Sequence, residues 1–209
     1  MIVKEFGTPR PHLIITEVFS EKVLEGFLQE AVDLKDIFKP GKMGKFKDNV
    51  QKTTINDKRK KAMDIYLDDY YTDRSKSKIL TKLDAFMINN KMRDIYDNCR
   101  YPIFTTILFT TIDATHLIRY KDGDYYDWHG DVFGKAYGFT TISFMFGSKK
   151  KMFTGGAFQL KYKDEVKTIP FKRNTLIIFP SNTMHRATTV KMKSTDPYHL
   201  RYTIQRWNT

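Results

Sequence analysis

After Arg100 the chain stops reading as helix and becomes a series of short β runs, and no other sequence feature limits its fold as strongly. The runs cover residues 103–111, 115–120, 139–146, 157–162, 166–171, 175–179, 186–190 and 200–207. They are rich in Thr, Ile, Phe and Tyr, and turn signals such as Lys121-Asp122-Gly123-Asp124 and Gly155-Gly156 separate them. The front half reads differently. Ser20 is placed to cap a helix through Glu30, with Val23, Leu24, Phe27 and Leu28 on one face. A second helical stretch spans residues 75–98, where Ile79, Leu80, Leu83, Phe86, Met87, Met92, Ile95 and Tyr96 recur mostly at intervals of three and four. The pattern predicts an α+β chain with a mainly β core, a double-stranded β-helix (jelly roll) buttressed by N-terminal helices. A single domain over 1–209 follows, with helical support over about 1–100 and the roll over about 101–209. A β-sandwich binding module has the same texture, so the strands alone name no function.

Composition narrows the setting. With 41% hydrophobic and 29% charged residues, the chain has the make-up of a globular protein. Its one cysteine, Cys99, rules out an intrachain disulfide or a multi-thiolate metal site. There is no apolar run of membrane-crossing length, and the N-terminal residues lack the apolar stretch of a signal peptide, so a reducing, cytoplasmic setting without a membrane partner is expected. The formal net charge of +12 permits attraction to nucleic acid but does not select it. Much of that charge is local: residues 35–61 hold ten Lys/Arg against three Asp, together with Pro40, Gly41 and Gly44. Such a segment is either a solvated loop or a lid that docks substrate.

The chemistry concentrates in Asp127-Trp128-His129-Gly130-Asp131. On an extended chain, side chains two apart share a face, so His129 and Asp131 can reach one ion, with Gly130 leaving room for the backbone. A His-x-Asp pair alone is weak evidence. Of the other histidines, His12 lies near the N-terminus, His116 before a turn and His199 in a polar stretch. His185 follows the apolar run Leu176-Ile177-Ile178-Phe179 and a short turn, which puts it near the open end of a roll. Two His and one carboxylate make a facial triad that leaves coordination positions open for a co-substrate and dioxygen. A closed four-ligand zinc site has no such room.

The surrounding text gives this triad its weight. Residues 119–131, Arg-Tyr-Lys-Asp-Gly-Asp-Tyr-Tyr-Asp-Trp-His-Gly-Asp, resemble the prolyl 4-hydroxylase branch of the Fe(II)/2-oxoglutarate-dependent dioxygenases. Gly155-Gly156-Ala157-Phe158 resembles that family's Gly-Gly turn, and Phe179–Val190 its distal-histidine segment. Leu200–Trp207 resembles its closing strand, in which a basic residue precedes an aromatic one. The resemblance covers about residues 115–207 and implies Fe(II) on His129, Asp131 and His185. It also implies 2-oxoglutarate as co-substrate, with ascorbate as reductant. Arg201 would hold the co-substrate's distal carboxylate with a two-pronged donor, and Tyr120 would add a phenolic hydrogen bond. Arg201 lies 201 − 185 = 16 positions after His185, against about ten in the family; the extra residues fall in 191–198, which can loop out. For Arg201 the plain alternative is a solvent-facing strand residue, and for Tyr120 a core-edge tyrosine. Tyr126 reads equally as a substrate-entrance residue or as packing.

By the same resemblance the reaction is hydroxylation of a substrate C–H bond with release of succinate and carbon dioxide. The implied substrate is a prolyl residue in a protein or peptide. Two alternatives stand beside it. One is a nucleic-acid-modifying dioxygenase, whose alkylation-repair members carry two arginines six apart on the last strand; Arg201 and Arg206 differ by five and would point to opposite faces. The other is a non-enzymatic jelly-roll binding module.

Overall fold

The computed structural model describes residues 1–47, 50–55, 58–131, 140–150 and 152–208, without the side chains of 42–47, 50–55 and 113. Eight strands build the roll: β1 (Ile112–Tyr120), β2 (Tyr126–His129), β3 (Thr140–Gly147), β4 (Phe158–Tyr162), β5 (Glu165–Ile169), β6 (Thr175–Pro180), β7 (Met184–Ala187) and β8 (Arg201–Asn208). They divide into two sheets, in the order β6-β3-β8-β1 and β5-β4-β7-β2. This is the strand arrangement of a double-sheet jelly roll, so the expected fold class holds. The front half extends the larger sheet to eight strands: Ile2–Phe6 and His12–Thr16 lie outside β6, and Met63–Tyr66 and Lys39–Pro40 lie outside β1. These strands were not expected from a front half read as helical.

The helices pack on the outer face of the large sheet because their apolar stripes match its alternation. Leu24, Phe27, Leu28 and Ala31 of Glu21–Asp33, and Ile79, Leu80, Leu83 and Met87 of Lys78–Met87, share one core with Leu117, Phe144, Phe146, Leu176, Ile178 and Ile204 of the sheet. Each fully buried Leu, Ile or Phe contributes about 1.5–3 kcal/mol here. The alternate residues Met145, Ile177 and Phe179 face inward and meet Phe158, Leu160 and Ile169 of the small sheet. Among the described residues no helix is long and apolar enough to cross a membrane.

Several expectations need correction. Residues 103–111 form no strand; they hold the 3₁₀ helix Pro102–Leu108, with Pro102 in its first turn. Phe104 and Ile107 are buried three apart, the spacing at which side chains eclipse on such a helix, and that packing overrides the β-branched composition. The helical stretch 75–98 is two helices, Lys78–Met87 and Asn90–Asp97, because the Asn89 side chain accepts from the Met92 N–H and starts a second one. Ser20 occupies an N-cap position but makes no side-chain cap bond, and the helix runs on to Asp33. The run 186–190 is divided between β7 and a short strand, Val190–Met192, that pairs with Phe153–Gly155. Within the basic segment Lys42–Lys47 and Val50–Ile55 pair as a hairpin. The lid reading falls on side chains, and on residues 48–49 and 56–57, outside the described residues. Residue 139, the expected start of a strand, also lies outside them.

One contact fastens the helical layer to the roll. Arg206 of β8, 5% exposed, points away from the interior and its Nη1 donates to Asp84 of the helix Lys78–Met87 at 2.8 Å. Asp84 also accepts from Arg74 at 2.8 Å. Asp84→Ala would leave the Arg206 guanidinium buried without its carboxylate and is expected to cost about 3 kcal/mol in urea unfolding, whereas Arg206→Met, which removes the buried charge, should cost clearly less.

Candidate metal centre

β2 and β7 are adjacent and antiparallel, and their register places His129 directly opposite His185. A bulge between this pair and Ala187↔Tyr126 turns Trp128 outward, where the Arg186 guanidinium lies 4.5 Å from its ring, while His129 points in. Asp131 follows just past the end of β2. Its N–H donates to the Ser181 carbonyl at 2.8 Å, in the turn between β6 and β7. Thr141, on the inner face of β3, donates to Asp131 Oδ2 at 3.0 Å and lies 3.1 Å from the Ser181 hydroxyl. The three residues named from sequence are thus brought together. Thr141 and Ser181, which orient the carboxylate, carried no sequence signal beyond being small and hydroxylated. Gly130 is not required sterically, since an added Cβ would meet only ordinary contacts near 3.7 Å.

Both rings are locked by their backbones. His129 Nδ1 lies 2.7 Å from the Asp127 carbonyl, and His185 Nδ1 lies 2.9 Å from the Thr183 carbonyl. A carbonyl only accepts, so in each neutral ring Nδ1 carries the proton and Nε2 presents a lone pair. Those lone pairs face the same carboxylate: His129 Nε2 is 3.7 Å from Asp131 Oδ1 and His185 Nε2 is 3.4 Å from Oδ2. One ligand atom from each residue falls within 4.8 Å of the others. Acceptors turned on one another in a nearly dry site repel unless a cation lies between them, so this donor set fits a divalent metal. Burial holds the His129 pKa well below its ordinary value, with His185 as the next cause, which keeps the ring in its ligating form. Phe179 and Phe158 close around His185, with ring centroids 4.8 and 5.5 Å away.

Arg201 and Tyr120 face each other across the β8–β1 pairing and both are 1% exposed. The guanidinium lies 4.1 Å over the Tyr120 ring and 5.3 Å from Phe171, and its Nε donates to the Gly156 carbonyl at 2.9 Å. Among the described residues no carboxylate pairs with it, and its Nη1 has no hydrogen-bond partner. A buried cation with a free prong fits an anionic ligand arriving from elsewhere. Burial lowers the Arg201 pKa, opposed by the phenol beside it. Gly156 is needed for this: its φ is +64°, and an added Cβ would sit 2.6 Å from Arg201 Cδ. The solvent-facing alternative for Arg201 is excluded, and the Gly-Gly turn acquires a steric role that spacing alone did not reveal. Thr203 and Gln205 follow Arg201 on the same face, as alternation predicts, and His116 pairs with Gln205 from β1.

Tyr126 stacks flat on His129, with centroids 3.6 Å apart and planes 9° apart. Burial raises its phenol pKa well above the ordinary value, with Asp131 adding to the effect. His116, which precedes the turn as expected, is buried inside β1 and packed between Tyr66 and Trp207, and burial lowers its pKa well below 6.5. His116 and His129 are therefore neutral when folded and bind protons more readily when unfolded. Their contribution to stability is present above about pH 6.5 and is lost as pH falls from there toward the depressed folded values. The thermal midpoint of the metal-free protein should drop on acidification through this range, and His116→Leu should flatten the drop.

Residues 115–209 match the family model described as the 2OG-Fe(II) oxygenase superfamily. No curated protein matches the chain. Among solved structures, a Pseudomonas putida prolyl-4-hydroxylase superposes with a TM-score of 0.65 at 12% identity, covering 96% of this chain and 93% of that one. A Trichoplax adhaerens prolyl hydroxylase, solved with a hypoxia inducible factor oxygen degradation domain peptide fragment, gives 0.63 at 15% identity, covering 94% and 82%. The non-heme alpha ketoglutarate dependent epimerase SnoN, from nogalamycin biosynthesis, gives 0.51 at 11% identity, covering 95% and 77%. At these identities the superpositions establish the fold. The segment that matches the 2OG-Fe(II) oxygenase superfamily model, residues 115–209, contains the His-Asp-His cluster and Arg201, so the candidate site lies where this chain is similar to that superfamily.

Proposed function

We propose that this chain is an Fe(II)- and 2-oxoglutarate-dependent dioxygenase that hydroxylates a prolyl residue in a protein or peptide. In this reading His129, Asp131 and His185 hold Fe(II), and Arg201 takes the distal carboxylate of 2-oxoglutarate with Tyr120 alongside. The observation that carries it is the free Nη1 of Arg201, a buried cation facing the roll interior without a carboxylate of its own among the described residues. Bound together, Fe(II) and 2-oxoglutarate supply the oxidising chemistry, in which dioxygen puts one atom into the substrate and one into succinate as carbon dioxide leaves. The chain's own residues orient the ligands, exclude water and neutralise the co-substrate's charge.

The prolyl assignment is supported by the likeness to two prolyl hydroxylases and by the run of motifs from Tyr120 to Trp207. Nucleic-acid demethylation finds less support. Arg206, the second arginine of the last strand, is occupied by Asp84 behind the sheet and cannot join Arg201 on a ligand. A reducing compartment would suit a ferrous site held without thiolates.

The test is turnover. Purified protein with Fe(II), ascorbate and 2-oxoglutarate is expected to release succinate when offered proline-containing peptides. Mass spectrometry should find one added oxygen atom on a peptide panel and none on an oligonucleotide panel. Oxygen insertion confined to the oligonucleotides would overturn the prolyl reading. Arg201→Met, which loses charge-assisted hydrogen bonds of about 1.5–3 kcal/mol, should weaken 2-oxoglutarate binding by about ten- to a hundredfold while metal binding persists.

A further inference from the structure

A second buried charge pair lies behind the metal centre. Lys60 and Asp64 are joined at 2.5 Å, with side chains only 2% and 4% exposed. Lys60 lies next to the last residue, Lys61, of the basic segment that the metal and co-substrate sites leave unexplained, yet its ammonium is not on the surface. It lies 4.6 Å from the centroid of the Tyr126 ring, and that same ring stacks on His129 at 3.6 Å. The backbone makes the same link. Residues 59–61 run along β2 as a short added edge: Lys60 bridges Tyr126, the Lys61 N–H donates to the Tyr125 carbonyl at 3.1 Å, and the Asp127 N–H donates to the Arg59 carbonyl at 2.7 Å. Asp127 is also the residue whose carbonyl holds His129 Nδ1. Gly41 leaves the space the lysine fills, because a Cβ there would sit 2.3 Å from Lys60 Cε.

We propose that Lys60, paired with Asp64, is a positioning residue for His129, acting through the Tyr126 ring and the Asp127 peptide. A buried ion pair is a poor source of stability, since the desolvation of both charges offsets most of their attraction. What it does supply is a fixed location for a cation, which holds an aromatic ring by its face. Here the held ring is the one that sets the plane of the imidazole. The segment 59–61 thus ties the end of the basic stretch to the orientation of a ligand, and partners that orient a metal-bound histidine commonly change metal affinity ten- to a hundredfold when removed (about the range expected here).

This proposal rests on the reading of His129 as a ligand, so the experiment separates the two. Metal-free protein is titrated with Co(II), following affinity and the visible absorption of the bound ion, which reports coordination geometry. His129→Ala should lose binding; if it binds Co(II) like the parent, the ligand reading fails. Lys60→Met/Asp64→Leu removes both charges together and is expected to stay folded, with a thermal midpoint at or above the parent's, yet to bind Co(II) about tenfold or more weakly with an altered spectrum. Gly41→Ala, which keeps both charges and displaces the ammonium, should shift affinity and spectrum in the same direction. If His129→Ala loses Co(II) while both other variants keep the parent's affinity and spectrum, Lys60 is merely structural and the proposal is overturned.

Discussion

The alternation of a single strand, β8, organises the rest of the molecule. It lies in the middle of the large sheet, paired along its length with β1 on one side and β3 on the other. Its odd-numbered residues, Arg201, Thr203, Gln205 and Trp207, face the roll interior, while Tyr202, Ile204 and Arg206 face the helices. A slip of one residue would exchange these sets, placing Arg206 in the interior and Arg201 among the apolar helix contacts. Two neighbours in register and two opposite chemical demands pin the strand from both sides.

The metal centre depends on that frame without containing any of it. His129 and His185 sit on the small sheet, and Asp131 just beyond, but the carboxylate is aimed by Thr141 from the large sheet. The distance between sheets is set by their apolar filling, Met145, Ile177 and Phe179 against Phe158 and Leu160. Each imidazole is then locked by a carbonyl two residues upstream, so the tautomer that leaves Nε2 free is built into the backbone.

Three of the four buried cations among the described residues show how the same expense of desolvation is met in different ways. Arg206 is met by Asp84 and joins two layers. Lys60 is met by Asp64 beneath the ring that backs His129. Arg201 has an aromatic face, one carbonyl and no carboxylate among the described residues. Of these three, the one left incomplete is the one that faces the interior, within residues 115–209, which match the oxygenase family model.

Much of the site could be read directly from the sequence, because its parts lie close together or on regular strands. His129 and Asp131 are two apart, His185 follows an apolar strand, and Arg201 shares a parity with Thr203, Gln205 and Trp207. Period-two patterning transmits such information, and it also exposed the jelly roll. Where that patterning met competing tertiary packing it failed, as in Pro102–Leu108, whose β-branched residues fold as a 3₁₀ helix around buried Phe104 and Ile107. Contacts between distant segments leave no periodic trace at all. The β strands of the front half, the pairing of Lys60 with Asp64 behind Tyr126, the hold of Thr141 on Asp131 and the seating of Arg201 against Gly156 were decided by tertiary structure alone. The sequence by itself determined which groups could do the chemistry and on which face of each strand they lie. Their distances, their burial and their partners came only when two sheets closed on one another, because those depend on packing that no local pattern encodes.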